Sequence, residues 1–278
     1  MNFDRGSEDV ANILALEHVN LTTPDQSMAT FFYVNGLGFT RDPYVDFGPY
    51  NVWINVGNQQ FHLPTGEAQV LRGQIGVLVP DLTSLEQRLN QIKKRLSQTK
   101  FNFKVAKNHV AVTCPWGNKI RCEQSKINMQ LGIQYVEFNV KQEHLAGIGR
   151  FYSDWLGAPS VIHKNVCEVS VGREQTLRFK ATKRQPDYDG HHIAIYVANF
   201  SGPHKILKKH KLITEESDQH QYRFDKIVDP KTNKVLFELE HEVRSLRHPM
   251  FSRKLTNRNA DQTFFNYVDG KDAYYPSN

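Results

Sequence analysis

Apolar and polar residues change period several times along this chain, and the changes recur. ILALEHVNL, from Ile13, alternates as a half-buried strand does; Thr23-Pro24-Asp25 then supplies a helix start, and SMATFFYVNGLGF predicts a helix closed by Gly36 or Gly38. VWINV and QQFHLP follow as strands separated by Gly57-Asn58, a tight-turn signal. A second stretch predicts a strand at GQIGVLV and an amphipathic helix over 82–96, with Leu82, Leu85, Leu89, Ile92 and Leu96 on one face. It ends in strands HVAVTC and KIRCE joined through Pro115-Trp116-Gly117-Asn118. The third stretch predicts YVEFNV, a helix over 142–156, VCEVSV and QTLRFK. The fourth predicts HHIAIYV, a helix over 200–210, FDKIV and KVLFELE, with a turn at Asp229-Pro230-Lys231-Thr232-Asn233. Units therefore begin near residues 13, 73, 133 and 190, and each reads βαβββ.

The halves are copies. Phe32-Tyr33 and Phe151-Tyr152 stand 119 residues apart, as do Leu37-Gly38 and Leu156-Gly157, and the same offset carries LEHVNL around His18 onto YVEFNV around Glu137. Three matches at one offset mark a tandem duplication. The expected division is an N-terminal extension over 1–12, one half over 13–126, a second over 130–241 and a tail over 242–278.

Composition narrows the class. A chain of 278 residues with 39% hydrophobic and 23% charged residues suits soluble globular domains. It has no apolar run near the roughly 20 residues that span a bilayer, and its N-terminus lacks the pattern of a secretory signal. The expected compartment is the cytoplasm, in which Cys114, Cys122 and Cys167 are expected to be buried, reduced thiols. The net charge is +6. Its basic clusters, Lys93-Lys94-Arg95 and Lys205, Lys208, Lys209 and Lys211, fall inside predicted helices without interleaved aromatics, so no nucleic-acid partner is expected. The tail carries Arg244, Arg247, Arg253, Lys254 and Arg258, then Phe264, Phe265, Tyr267, Tyr274 and Tyr275, aromatics that suggest packing on the body of the protein.

One βαβββ unit cannot cover both faces of its sheet, whereas two can curl into an incomplete barrel with helices outside and a cupped interior. The expected fold is α+β, with units one and two in one barrel and three and four in the other. This layout, with GLG closing the first helix and PWGN or DPKTN before a last strand, resembles the vicinal oxygen chelate superfamily of glyoxalase I, extradiol dioxygenases and bleomycin-resistance proteins.

The resemblance implies metal ligands on the first and last strands of paired units. Carried over by position, it points to His18, His62, Gln74 and Glu123 in the first half. Two imidazoles and a carboxylate suit Fe(II) with open positions, and such N/O sites also take Zn, Ni, Co or Mn. The matching positions of the second half are Glu137, Arg178, His192 and Glu238, where the Arg178 guanidinium would repel a cation and pair with Glu137 or Glu238. His109 is a candidate acid or base, Arg121 a candidate oxyanion holder, and Trp53, Asn55 and Gln60 candidate substrate contacts. Two functions follow: a metal-dependent dioxygenase or glyoxalase-like enzyme on a small substrate chelated through vicinal oxygens, or a metal-free small-molecule-binding protein. A monomer or a homodimer suits either.

Overall fold

The structure, a computed structural model, describes residues 4–44, 47–253 and 255. Unit one runs β1 (Ile13–Asn20), α1 (Gln26–Thr30), β2 (Thr40–Arg41), β3 (Asn51–Val56) and β4 (Gln59–Pro64). Unit two runs β5 (Gly73–Val79), α2 (Leu82–Lys93), β6 (Asn102–Ala106), β7 (His109–Thr113) and β8 (Lys119–Gln124). The third is β9 (Gly132–Val140), α3 (Leu145–Arg150), β10 (Ser160–His163), β11 (Val166–Ser170) and β12 (Thr176–Ala181); the fourth is β13 (His192–Val197), α4 (Ser201–Lys209), β14 (Ile213–Asp218), β15 (Gln221–Val228) and β16 (Val235–Ser245). The four βαβββ units are those that the alternation predicts. The first strand after each helix, β2, β6, β10 or β14, is the one whose place the alternation did not mark.

Local chemistry explains the helix ends. Asp25 caps α1 by accepting from the Met28 amide at 2.8 Å, and Asp81 caps α2 by accepting from Ser84 at 2.7 Å. Asp25→Ala is expected to cost about 1 kcal/mol in a urea titration, as a lost cap does. Helices α1 and α3 both widen into π-helix, over Phe31–Gly36 and Phe151–Trp155. Gly38 and Gly157 then turn the chain at φ +78° and +63°, which explains why the repeat keeps a glycine at both positions. Helix α2 buries Leu85, Leu89 and Ile92 and packs on β6, β7 and β8.

The strands form two eight-stranded sheets that do not close, in the orders β14-β15-β16-β13-β1-β4-β3-β2 and β10-β11-β12-β9-β5-β8-β7-β6. Packing groups residues 18–133 with the segment from Pro249, and residues 134–248 with the N-terminal residues up to Glu17. Those compact units follow the halves of the duplication, but the sheets do not. The expected single barrel of units one and two is corrected: β3 and β4 lie in one eight-stranded sheet, and β5 to β8 lie in the other. The first strand of every unit has the same alternation, so patterning cannot choose which first strands meet.

The boundary at 241 also moves. Strand β16 runs to Ser245, and its burial rises toward that end, with His241 to Arg244 all buried. Glu242 and Arg244, expected in the tail, are therefore sheet residues. The tail aromatics from Phe264 onward, with Lys254 and Arg258, lie outside the described residues. All three cysteines are unbridged and buried, and burial pushes the thiols of Cys122 and Cys167 up to about 12 and about 11. No helix among the described residues is long and apolar enough to cross a membrane.

Candidate functional site

Register decides which side chains share a face. Parallel pairing of β1 with β4 sets His18 opposite Gln60 and Asn20 opposite His62, and antiparallel pairing of β3 with β4 sets Trp53 opposite His62 and Asn55 opposite Gln60. Cross-strand partners point the same way, so His18, Asn20, Trp53, Asn55, Gln60 and His62 all occupy one face. Each is at most 8% exposed, a polar layer inside an otherwise apolar body.

Rings stack in the middle of that face. His62 lies between His18 and Trp53, with centroids 3.7 Å away on either side and interplanar angles of 23° and 10°. Its Nε2 is 2.9 Å from Gln60 Oε1, while Gln60 Nε2 donates to Asp42 Oδ2 and Asn55 Oδ1, both at 2.6 Å. Glu17, His18 and His62 each bring one potential ligand atom within 4.8 Å of the others. Neighbours in a regular strand point to opposite faces, but Leu16 and Val19, three apart, are both fully buried. Strand β1 is thus covered on both faces around these residues, and its pairing with β4 is regular from His18 to Asn20.

Gln74 and Glu123 stand elsewhere. They lie on β5 and β8, in the other sheet from His18 and His62. Glu123 is engaged by Arg121, with Nε 2.5 Å from Oε1, and His109 is its cross-strand partner. The carboxylate, guanidinium and imidazole therefore form a separate half-exposed group. The expected four-ligand set does not assemble, because it presumes that units one and two share a barrel.

The second set divides in the same way. Glu137 and Arg178 face each other across β9 and β12, but Arg178 pairs with Glu168 at 3.2 Å and covers the Tyr135 ring, leaving Lys180 as the cation 3.8 Å from Glu137. The expected Arg178 pairing with Glu137 or Glu238 is thus replaced. Glu238 is exposed, opposite Lys226. His192, on β13, instead meets carboxylates two and four residues further along β16: Nδ1 is 3.3 Å from Glu240 and Nε2 is 3.7 Å from Glu242. Arg223 donates to Glu240 at 2.7 Å and to Glu242 at 2.6 Å, and Arg244 contacts Glu242 and reaches Glu17 at 3.2 Å. Burial, then the charges of Arg223 and Arg244, push the His192 imidazole down to about 3, so it is neutral at physiological pH. Burial also raises the Glu242 carboxyl, outweighing both guanidinium groups. Sequence reasoning missed Glu240, Glu242, Arg223 and Arg244. The usable signal was the shared parity of 238, 240, 242 and 244, which places four charged residues on one face of a strand.

No family model matches the chain, and no curated protein matches it. Solved structures do. A putative dioxygenase from Bacillus subtilis superposes with a TM-score of 0.60 at 14% identity, over 91% of this chain and 89% of that one. Glyoxalase I from Zea mays gives 0.59 at 13%, over 86% and 94%. The chain shares the fold of these structures, in keeping with the resemblance that its sequence carries. At such identities the likeness is one of architecture, and one architecture hosts unrelated activities. Function must be argued from the residues above.

Proposed function

We propose that the chain is a metal-dependent enzyme for a small substrate that chelates through neighbouring oxygens, of the dioxygenase or glyoxalase type. The observation that carries this reading is the convergence of Glu17, His18 and His62 within 4.8 Å, on a buried face that also presents Asn55 and the Trp53 ring. The donor set fits a divalent cation: two imidazoles and one carboxylate leave open positions and suit Fe(II) first, with Zn, Ni or Mn as alternatives. When bound, such an ion supplies Lewis acidity to a chelated substrate.

The chain's own residues would do the rest. His18 and His62 would hold the ion, and the Trp53 ring packed on His62 excludes water from that side. Asn55 is placed to accept from or donate to a substrate oxygen at the same face. Arg244, bonded to Glu17, would withdraw electron density from that carboxylate and make it the weakest of the three ligands.

A second reading draws on the same arginines. Because Arg223 and Arg244 already neutralise Glu17, Glu240 and Glu242, the chain can balance its buried charge without an ion, as a metal-free small-molecule-binding protein would. Elemental analysis decides between the two. Protein purified without a His tag and reconstituted anaerobically should hold near-stoichiometric divalent metal, and the His18→Ala/His62→Ala variant should hold less than a tenth of it. Metal-loaded protein would then be screened with catechols, hemithioacetals and 2-oxo acids. Absence of metal from both proteins would overturn the enzyme reading.

A further inference from the structure

Arg253 lies well beyond the last strand, yet only 3% of its side chain is exposed. Its guanidinium grips Asp42 with two bonds, Nη1 to Oδ1 at 3.2 Å and Nη2 to Oδ2 at 2.5 Å, and lies 5.1 Å from the centre of the Tyr44 ring. The Asp42 side chain is itself wholly buried. Guanidinium nitrogens, which only donate, meet both carboxylate oxygens, so Asp42 presents acceptors on each side.

That constraint passes inward. Gln60 Nε2 sits 2.6 Å from Asp42 Oδ2, so the nitrogen end of the amide must face the carboxylate, and the second hydrogen on that nitrogen goes to Asn55. The oxygen end must then face His62. A carbonyl oxygen cannot donate, so the ring nitrogen 2.9 Å away has to carry the proton. We propose that the segment after β16 is a working part of this face: Arg253, acting through Asp42 and Gln60, holds His62 as its Nε2-protonated tautomer and so selects Nδ1 as the ring's lone-pair atom.

Arg253 is thus a positioning residue for a ring about three hydrogen bonds away. The role of Nδ1 as a ligand rests on the function proposed above, whereas the tautomer does not. The arrangement also explains why a charged pair is buried at this place: a neutral residue at 42 would allow the Gln60 amide to turn over, and His62 could then adopt either tautomer.

The test is a two-bond proton–nitrogen correlation spectrum of the full chain, labelled with nitrogen-15 in histidine and stripped of metal with chelator. His62 would be assigned by its disappearance in His62→Gln. A protonated and a lone-pair ring nitrogen differ widely in shift. Wild type should show His62 with Nε2 protonated, Arg253→Lys should keep that signature, and Arg253→Met should give a mixture of both tautomers. Should Arg253→Met fail to fold, Asp42→Asn is read in its place, with the same mixture expected. Nδ1 protonation in wild type, or a pure Nε2 tautomer in the folded Met or Asn variant, overturns the proposal. Because the protein is metal-free throughout, failure of the metal reading would leave this result untouched, and the reverse holds equally.

Discussion

Arg244→Met is expected to destabilise the protein by about 3–5 kcal/mol at pH 7, the range for removing one partner of a buried ion pair. The arginine is 7% exposed and ties together Glu17, 13% exposed, and Glu242, 3% exposed. Methionine would match the length of the stem and fill much of the space, so packing loss would be small and the cost would come from leaving carboxylates buried without their cation. Arg223 would remain bonded to Glu242, but Glu17 loses the guanidinium it contacts. The check is a urea titration of wild type, Arg244→Met, Glu242→Leu and the double variant. The double variant should recover a good part of the loss, because replacing both members of a buried pair with apolar groups is far less costly than removing one. A loss under about 1 kcal/mol in the single variant would show that water reaches these groups, as it does at surface pairs.

Because the same arginine is bonded to a proposed ligand, stability and metal binding should respond separately to its removal. Freed from Arg244, Glu17 becomes a stronger donor. Arg244→Met should therefore hold metal at least as tightly as wild type while being less stable, a divergence that a purely structural role would not give.

Element type was readable from this sequence because each unit is written in plain local terms. Alternation over 13–20, an Asp at each of the first two helix starts and a glycine after each π-helix specify strand, helix and turn with short-range physics. Partnering was not readable. His18 and His62 could be named because they sit on strands of one unit, whose pairing follows from a hairpin and one crossover through α1. Gln74 and Glu123 were added on the assumption that unit two closes the same barrel, and the hydrogen-bonded order places them in the other sheet. Glu238 was chosen where Glu240 and Glu242 do the contacting, an error of one and two steps of the strand period: all three share a face, and depth along a strand is set by tertiary register. Asp42 and Arg253 carried no signal at all. They are 211 residues apart, and Arg253 lies outside the repeat.

Acid should unfold this protein at milder pH than its carboxylates alone would dictate. His192 and His241 are both held neutral, each pushed down to about 3 from an ordinary 6.5, chiefly by burial. His241 is fixed by its bonds: Nδ1 donates to the Leu239 carbonyl and Nε2 accepts from Tyr152 Oη, each at 2.7 Å, leaving no site for another proton. The folded state refuses protons that the unfolded chain accepts as soon as pH falls through 6.5. Stability is thus complete above that value and is lost as pH falls toward the folded values, with a slope that approaches about 2.7 kcal/mol per pH unit for two protons. His248, pushed down to about 4, acts in the same direction but is more open to solvent. Glu242 opposes them, since its raised carboxyl takes a proton more readily folded than unfolded, so its contribution grows as pH falls. Two histidines outweigh one carboxyl, so urea midpoints on chelated protein should fall steadily from pH 6.5 to about 5. In Tyr152→Phe/His241→Phe, where both ends of the buried bond are made apolar together, the slope should drop to about 1.4 kcal/mol per pH unit. A stability that is flat from pH 7.5 to 5 in wild type would mean that both rings are already protonated in the fold, which the Leu239 and Tyr152 bonds to His241 forbid.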